Sequence, residues 1–199
     1  MLTFTVRELS NNVIQVTSGG TLDTTGLGGP TTQPANPADT PLFNAADPAI
    51  FAGPFGSVSY NIWAVSWTAT STGFGQPGNY FGTTTSSDPD AIAGIDPLFN
   101  QILTPTSCGA NALCTIAQSI TTFEPGTPLN LTAGTYTWAW GAGADQRIEI
   151  TVIPVPGPLP ALGAAAAFGW SRRLRRRVAA AAPGARGGAA MPPLPRRGA

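Results

Sequence analysis

Glycine and proline interrupt this chain so often that short strands, rather than long helices, are the elements it can form. The 199 residues include 24 Gly and 20 Pro. The apolar runs between them are brief and contain many Thr and Trp residues, which favour strands. No convincing helical pattern precedes residue 160. We therefore predict an all-β fold, an antiparallel β-sandwich of the jelly-roll or Ig-like type.

Alternation of polar and apolar residues marks four strands, which pair as two hairpins. Residues 2–7 alternate cleanly, and Val13–Val16 follows as the second arm of a predicted hairpin. Thr135–Trp140 and Arg147–Val152 flank a glycine-rich turn and form the second.

The middle of the chain is harder to assign. Val58–Thr70 is rich in strand-forming residues, but its apolar face changes phase near Ile62. This predicts either a bulge or a strand covered on both faces. Residues 26–57 are dense in Gly and Pro, and we expect them to cross the face of the domain or to hold short strands.

The charges are distributed unevenly along the chain. Residues 1–153 contain only Arg7 and Arg147 against all ten acidic residues, a net charge of −8, and the other eight arginines begin at Arg172. An acidic body without a single Lys is unsuited to binding phosphates. We therefore predict no nucleic-acid partner.

The chain has two cysteines, Cys108 and Cys114. In an exported protein this spacing predicts a small disulfide-closed loop, whereas in a reducing compartment the pair would be free thiols. Two cysteines cannot by themselves complete a tetrahedral zinc site.

The residue types of the body argue against catalysis. The chain has no His and no Lys, so the commonest general base and the Schiff-base mechanisms are missing. A glycoside hydrolase would need a pair of carboxylates. The candidates are Asp88, Asp90, Asp96, Glu124, Asp145 and Glu149. Such acids are more often simply solvated, and we predict a non-enzymatic protein.

The same acidic loop offers one candidate metal site. Asp88, Asp90 and Asp96 would bind Ca²⁺ through carboxylates and backbone carbonyls, although the loop lacks an EF-hand pattern. Apart from this calcium alternative we predict no cofactor.

Three aromatic residues share one face of a predicted strand. Tyr136, Trp138 and Trp140 occupy every second position. They would form either a carbohydrate-stacking platform or part of the sandwich core.

The segment from Pro154 to Arg177 has three parts in a fixed order. Prolines recur at every second position from Pro154 to Pro160, which enforces an extended backbone. Ala161–Trp170 is then apolar and helix-forming, but it is shorter than the roughly 20 residues that span a bilayer. Within it, Ala161, Leu162, Phe168 and Trp170 are the candidate membrane residues. The arginines that follow favour the cytoplasmic side and place the body outside.

These parts resemble a PEP-CTERM sorting signal. The resemblance consists of Val155, Pro156, Gly157, Pro158, Leu159 and Pro160, a VPGPLP form typical of cyanobacterial members, then the apolar segment, then Arg172, Arg173, Arg175, Arg176 and Arg177. Gly157 stands where the family has Glu. Ser18–Leu27 and Leu131–Gly141 are similar to other segments of such proteins.

The resemblance implies an export and processing route. Its members are substrates of exosortase, a membrane-embedded transpeptidase-like enzyme that cleaves near the proline motif. The membrane contact is then transient, and the setting implied is cell-surface, exopolysaccharide or biofilm material. Since Met1 is not followed by a signal peptide, we expect the export peptide to lie upstream of this start.

The sequence therefore predicts three parts. Residues 1–153 form an exported β-sandwich, 154–177 the sorting signal with its short apolar helix, and 178–199 a disordered Ala/Gly/Pro/Arg tail. The predicted function is that of a non-enzymatic surface or matrix protein. The alternative is a secreted carbohydrate-binding module or a carboxylate-based glycoside hydrolase.

Overall fold

The fold was taken from a computed structural model, which describes residues 1–9 and 12–154. The all-β prediction is confirmed: these residues form twelve strands and one 3-10 turn, Pro89–Ala91. The strands are β1 Leu2–Glu8, β2 Ile14–Asp23, β3 Thr31–Gln33, β4 Leu42–Asn44, β5 Ala49–Ala52, β6 Tyr60–Ala64, β7 Tyr80–Thr84, β8 Ala93–Asp96, β9 Gln101–Pro105, β10 Leu113–Phe123, β11 Gly134–Ala139 and β12 Arg147–Ile153.

All twelve strands belong to one mixed sheet. Their order is β11-β12-β1-β2-β10-β7-β4-β5-β8-β9-β6-β3. The prediction of a purely antiparallel sheet is wrong at one pair, because β1 runs parallel to β12, with Phe4 beside Ile150. Alternation within a strand identifies its buried face but carries no information on the direction of a partner about 140 residues away.

The two predicted hairpins are present. In β1, Leu2, Phe4 and Val6 are fully buried, and the strand pairs antiparallel with β2. In the same way β11 pairs antiparallel with β12, and Trp138 lies opposite Ile148. Period-two alternation placed these four strands correctly because one face of each covers the core.

The two halves of the strand order share one hydrophobic core. Phe4 and Trp138 come from the β11-to-β10 half, and Phe43 and Trp63 from the β4-to-β6 half, and all four are fully buried in the same cluster. The backbone of Ala69, five residues after β6, also forms an antiparallel bridge to Ala139 at the end of β11. Both halves of the strand order therefore contribute side chains to one core.

Strand β6 packs against apolar residues on both of its faces. The sequence predicted either such a strand or a bulge near Ile62, where the apolar face changes phase. Trp63 belongs to the main core, while Tyr60 and Ile62 pack with Ile92 and Leu103 on the opposite side. Of the two alternatives, the strand covered on both faces is the correct one.

A buried hydrogen bond ties β6 to β9. The indole Nε1–H of Trp63 donates to Oγ1 of Thr104 at 2.8 Å, and both side chains are fully buried. An indole N–H in this position needs an acceptor, because leaving a buried donor unpaired costs the desolvation of that group.

We predict that Thr104→Val lowers the free energy of unfolding by about 1–3 kcal/mol, because it keeps the shape of the side chain but removes the acceptor. Urea denaturation measures the change. Thr135→Val on β11 is the matched control, since Thr135 is exposed, and it should change stability by less than about 0.5 kcal/mol. Equal effects of the two substitutions would contradict the prediction.

Candidate functional site

The two cysteines form a disulfide. Cys108 and Cys114 are bonded across a Cα–Cα distance of 5.3 Å, and both are buried. The loop that they close is fastened to β2 by Thr24, whose hydroxyl donates to the carbonyl of Gly109 at 2.7 Å and accepts from the N–H of Ala112 at 3.0 Å. The disulfide thus anchors the connection between β9 and β10.

The candidate calcium ligands Asp88, Asp90 and Asp96 do not form one cluster of carboxylates in the described part of the chain. Asp88 caps the 3-10 turn by accepting from the N–H of Asp90, and Asp90 accepts from the hydroxyl of Ser107 at 2.6 Å. Asp96 lies at the end of β8 and lines a separate cavity with Asn44 and Asp47. In residues 1–9 and 12–154, no three His, Cys, Asp or Glu side chains come close enough to hold a metal ion. Asp88 therefore accepts a hydrogen bond within the 3-10 turn, and Asp90 accepts one from Ser107.

Asp96 instead lines a small cavity of about 170 Å³, whose wall contains both polar and apolar side chains. Asn44, Asp47 and Asn79 contribute to its wall. The Asn44 amide donates to the side-chain oxygen of Asn79 at 3.0 Å, and its own oxygen accepts from the N–H of Asp47 at 3.2 Å. Asp96 is only 8% exposed, and its Oδ1 accepts from the N–H of Phe99 at 3.2 Å.

Burial raises the pKa of the Asp96 carboxyl above its ordinary value of 3.8, and the negative charge of Asp47 raises it further. The backbone N–H groups of Phe99 and Leu98 act in the opposite direction. A carboxyl that is harder to ionise in the folded chain destabilises that chain once the pH is high enough to ionise it.

Trp138 of β11 and Trp140, which follows the strand, belong to the core, and Tyr136 packs against it. Trp138 is fully buried, Trp140 is 9% exposed, and Tyr136 is half-buried against Phe74 at a centroid distance of 5.2 Å. Trp67 meets Trp140 edge to face at 6.4 Å. Because stacking on a sugar requires exposed ring faces, these residues do not form a carbohydrate platform.

A second aromatic cluster, which the sequence did not reveal, lies on the outer face of the sheet. Side chains of β7, β4 and β5 stand side by side there, with Phe81 opposite Leu42 and Leu42 opposite Phe51. Phe81 is 67% exposed. The strands involved are three to five residues long, too short for alternation to be recognised in the sequence.

This face contains a cavity of about 220 Å³, which we call the aromatic cavity. It is lined by Phe51, Phe55, Tyr60 and Phe81 together with Ala38, Asp39, Thr40 and Leu42. The hydroxyl of Tyr60 donates to Oδ2 of Asp39 at 3.1 Å. Burial, with the charge of Asp39 as a second cause, raises the pKa of Tyr60 to about 12, so this phenol stays protonated.

A further concavity has a different chemistry. It measures about 440 Å³ and is lined mainly by hydroxyl groups and glycines, among them Thr3, Thr5, Thr17 and Gly19. A side chain at Gly20, which also borders it, would collide with the carbonyl oxygen of Met1. The groove has neither a titratable side chain nor an aromatic ring in its lining.

Comparison with known proteins adds no relative, since no protein-family model, curated protein or solved structure matches the chain. Within the described part of the chain, no helix is long and apolar enough to cross a membrane. The proposed sorting motif 155–160, the apolar residues after it and the arginine cluster lie outside the described residues.

We predict that removing the disulfide by Cys108→Ala and Cys114→Ala together lowers the free energy of unfolding by about 2 kcal/mol, because the unfolded chain gains the entropy of a short open loop. Urea denaturation of the oxidised protein and of the double variant measures this change. The wild-type protein with a reductant should resemble the double variant. A double variant as stable as the oxidised protein would contradict the prediction.

A pH prediction follows from Asp96. Since its folded pKa lies above 3.8, the folded chain binds more protons than the unfolded chain just above that pH, and wild-type stability falls as the pH rises through this window. Asp96→Asn should therefore be more stable than wild type at neutral pH, with the difference shrinking toward pH 3.8. Thermal unfolding across this range provides the test. A difference that does not depend on pH would exclude this role of the carboxyl.

Proposed function

We propose that this chain is an exported, non-enzymatic protein of the cell surface or extracellular matrix, sorted and cleaved by exosortase at its C-terminal PEP-CTERM-like signal. Two features of the chain together carry the proposal. The body contains a disulfide, and Pro154–Arg177 contains the proline, apolar and arginine parts in order. Disulfides persist outside the reducing cytosol, and the arginines favour retention of their own side in the cytosol. Both features agree on an exported body.

The proposed architecture of this body is a β-sandwich of the jelly-roll or Ig-like type, followed by the short apolar helix of the signal. Two observations support the sandwich. Both halves of the strand order contribute to one buried cluster, and the bridge from Ala69 to Ala139 connects the chain beyond β6 with β11. A sheet that covers both sides of one core has the layer arrangement of a sandwich.

The non-enzymatic part of the proposal rests on the chemistry of the side chains. The chain has no His, and its most prominent acids serve local structure: Asp88 and Asp90 accept hydrogen bonds at a turn. Asp145 accepts from the hydroxyl of Thr21 at 2.6 Å. Acids held in this way support the fold and are poorly placed for acid–base work.

The residues that suggested a carbohydrate-binding module include Trp138 and Trp140, and both are buried. A glycan ligand would have to use another surface of the body.

The sorting proposal predicts a shortened mature protein. The chain, placed behind an export peptide, is expressed in a host with exosortase and in the same host without it. With the enzyme, the surface fraction should lack Arg172–Arg177, as shown by mass spectrometry of its C-terminus. Without it, the precursor should remain in the membrane fraction.

Pro156→Ala with Pro158→Ala tests the motif itself. This double variant should keep the precursor length in the host with exosortase, because the extended backbone offered for cleavage is lost. Pro183→Ala, in the tail beyond the arginines, is the matched control and should be processed normally. A surface protein that still carries Arg172–Arg177 would refute the sorting proposal.

A further inference from the structure

The aromatic cavity brings four aromatic side chains and one carboxylate to a single concavity. Phe51, Phe55, Tyr60 and Phe81 line it together with Asp39. Its volume of about 220 Å³ exceeds several times the roughly 30 Å³ that one water molecule occupies in the liquid. There is therefore space for a small organic group.

The rings of this cavity are inclined to one another. The centroids of Phe51 and Phe55 are 6.0 Å apart with the planes at 39°, and those of Phe55 and Tyr60 are 5.0 Å apart at 72°. Inclined rings do not make the flat surface on which a sugar ring stacks. They suit a compact, rounded group that contacts several rings at once.

The electrostatics favour a cation. Asp39 is the only charged residue in the lining, and Tyr60 donates its hydroxyl to that carboxylate. Residues 1–153 carry ten acidic residues and only two arginines. The negative faces of aromatic rings attract a positive group, and a carboxylate beside them adds to that attraction.

Asp39 can attract a cation through its charge while its oxygens keep their contacts within the protein. One of its oxygens accepts from Tyr60 at 3.1 Å, and the other faces the amide of Asn36 at 3.4 Å. A cation without N–H groups can be bound here by charge and ring contact alone. This is the way in which proteins bind quaternary ammonium groups in aromatic cages.

We propose that the aromatic cavity, formed by Phe51, Phe55, Tyr60, Phe81 and Asp39, is a binding site for a small quaternary ammonium group. The ligand class is a trimethylammonium compound or a chain end that carries one. This site is independent of the sorting proposal, because it depends only on residues of the body.

The test is titration of the full chain, with its disulfide formed, by choline and by tetramethylammonium. We expect saturable binding of both, followed by NMR shifts or calorimetry. The neutral choline isostere 3,3-dimethyl-1-butanol has the same shape without the charge, and it should bind at least about fivefold more weakly. Choline binding should weaken as the salt concentration rises.

Two variants assign the binding to this cavity. Phe81→Leu keeps an apolar side chain but removes the ring, and it should weaken choline at least about fivefold. Asp39→Asn removes the charge but keeps an acceptor for Tyr60, and it should weaken binding and reduce the salt dependence. The matched control is Phe99→Leu, since Phe99 is also 67% exposed but does not line this cavity. It should bind choline as the wild type does.

Three outcomes would overturn the proposal. The first is no saturable binding of choline or tetramethylammonium to the folded chain. The second is equal binding of the neutral isostere, or of glucose in place of the cations, which would make the cavity an apolar or a saccharide site. The third is unchanged choline binding by Phe81→Leu and Asp39→Asn, with circular dichroism confirming that both variants fold. None of these results bears on processing by exosortase.

Discussion

Contact between aromatic rings from distant parts of the chain holds the two halves of this sheet together. The ring centroids of Phe123 in β10 and Phe43 in β4 are 5.6 Å apart. Phe74 continues the series, with its centroid 6.0 Å from that of Phe43 and 5.2 Å from that of Tyr136 in β11. These contacts connect β10, β4 and β11 through the interior. Rings of this size bury more apolar area than any other side chains, so the core depends on them.

The need to bury these large rings also decides which surfaces remain available for binding. Trp67, Trp138 and Trp140 place their indole N–H groups in the interior, where these atoms have no hydrogen-bond partner among the described residues. Each unpaired donor costs stability, so burial of the rings outweighs that loss. The aromatic residues of β11 are thereby unavailable to a ligand. Among the rings that solvent reaches, Phe81 lies on the outer face of β4, β5 and β7, where the aromatic cavity is found.

Elements formed by interactions between residues close in sequence could be predicted from the sequence, and elements that depend on distant residues could not. The hairpins β1–β2 and β11–β12 were predictable because alternation and a nearby turn are local signals. Strands β3, β4 and β5 were not, since each has only three or four residues. The acids were misleading for a related reason. Asp88 and Asp90 are close in sequence, but Asp88 caps a 3-10 turn and Asp90 accepts from the hydroxyl of Ser107. Asp96 instead lines a cavity with Asn44 and Asp47.

The sequence by itself determined the all-β class and the acidic body, because composition and alternation depend on neighbours along the chain. It left Cys108 and Cys114 as either a disulfide or free thiols, and the structure shows the disulfide. The sequence also contains the proline, apolar and arginine parts of the proposed sorting signal, in Pro154–Arg177. The tertiary structure alone decided the parallel pairing of β1 with β12, the burial of Trp138 and Trp140, and the meeting of Phe51, Phe81 and Asp39 at one cavity. Each of these depends on which strands become neighbours, and that is settled by burying one core and not by any local pattern.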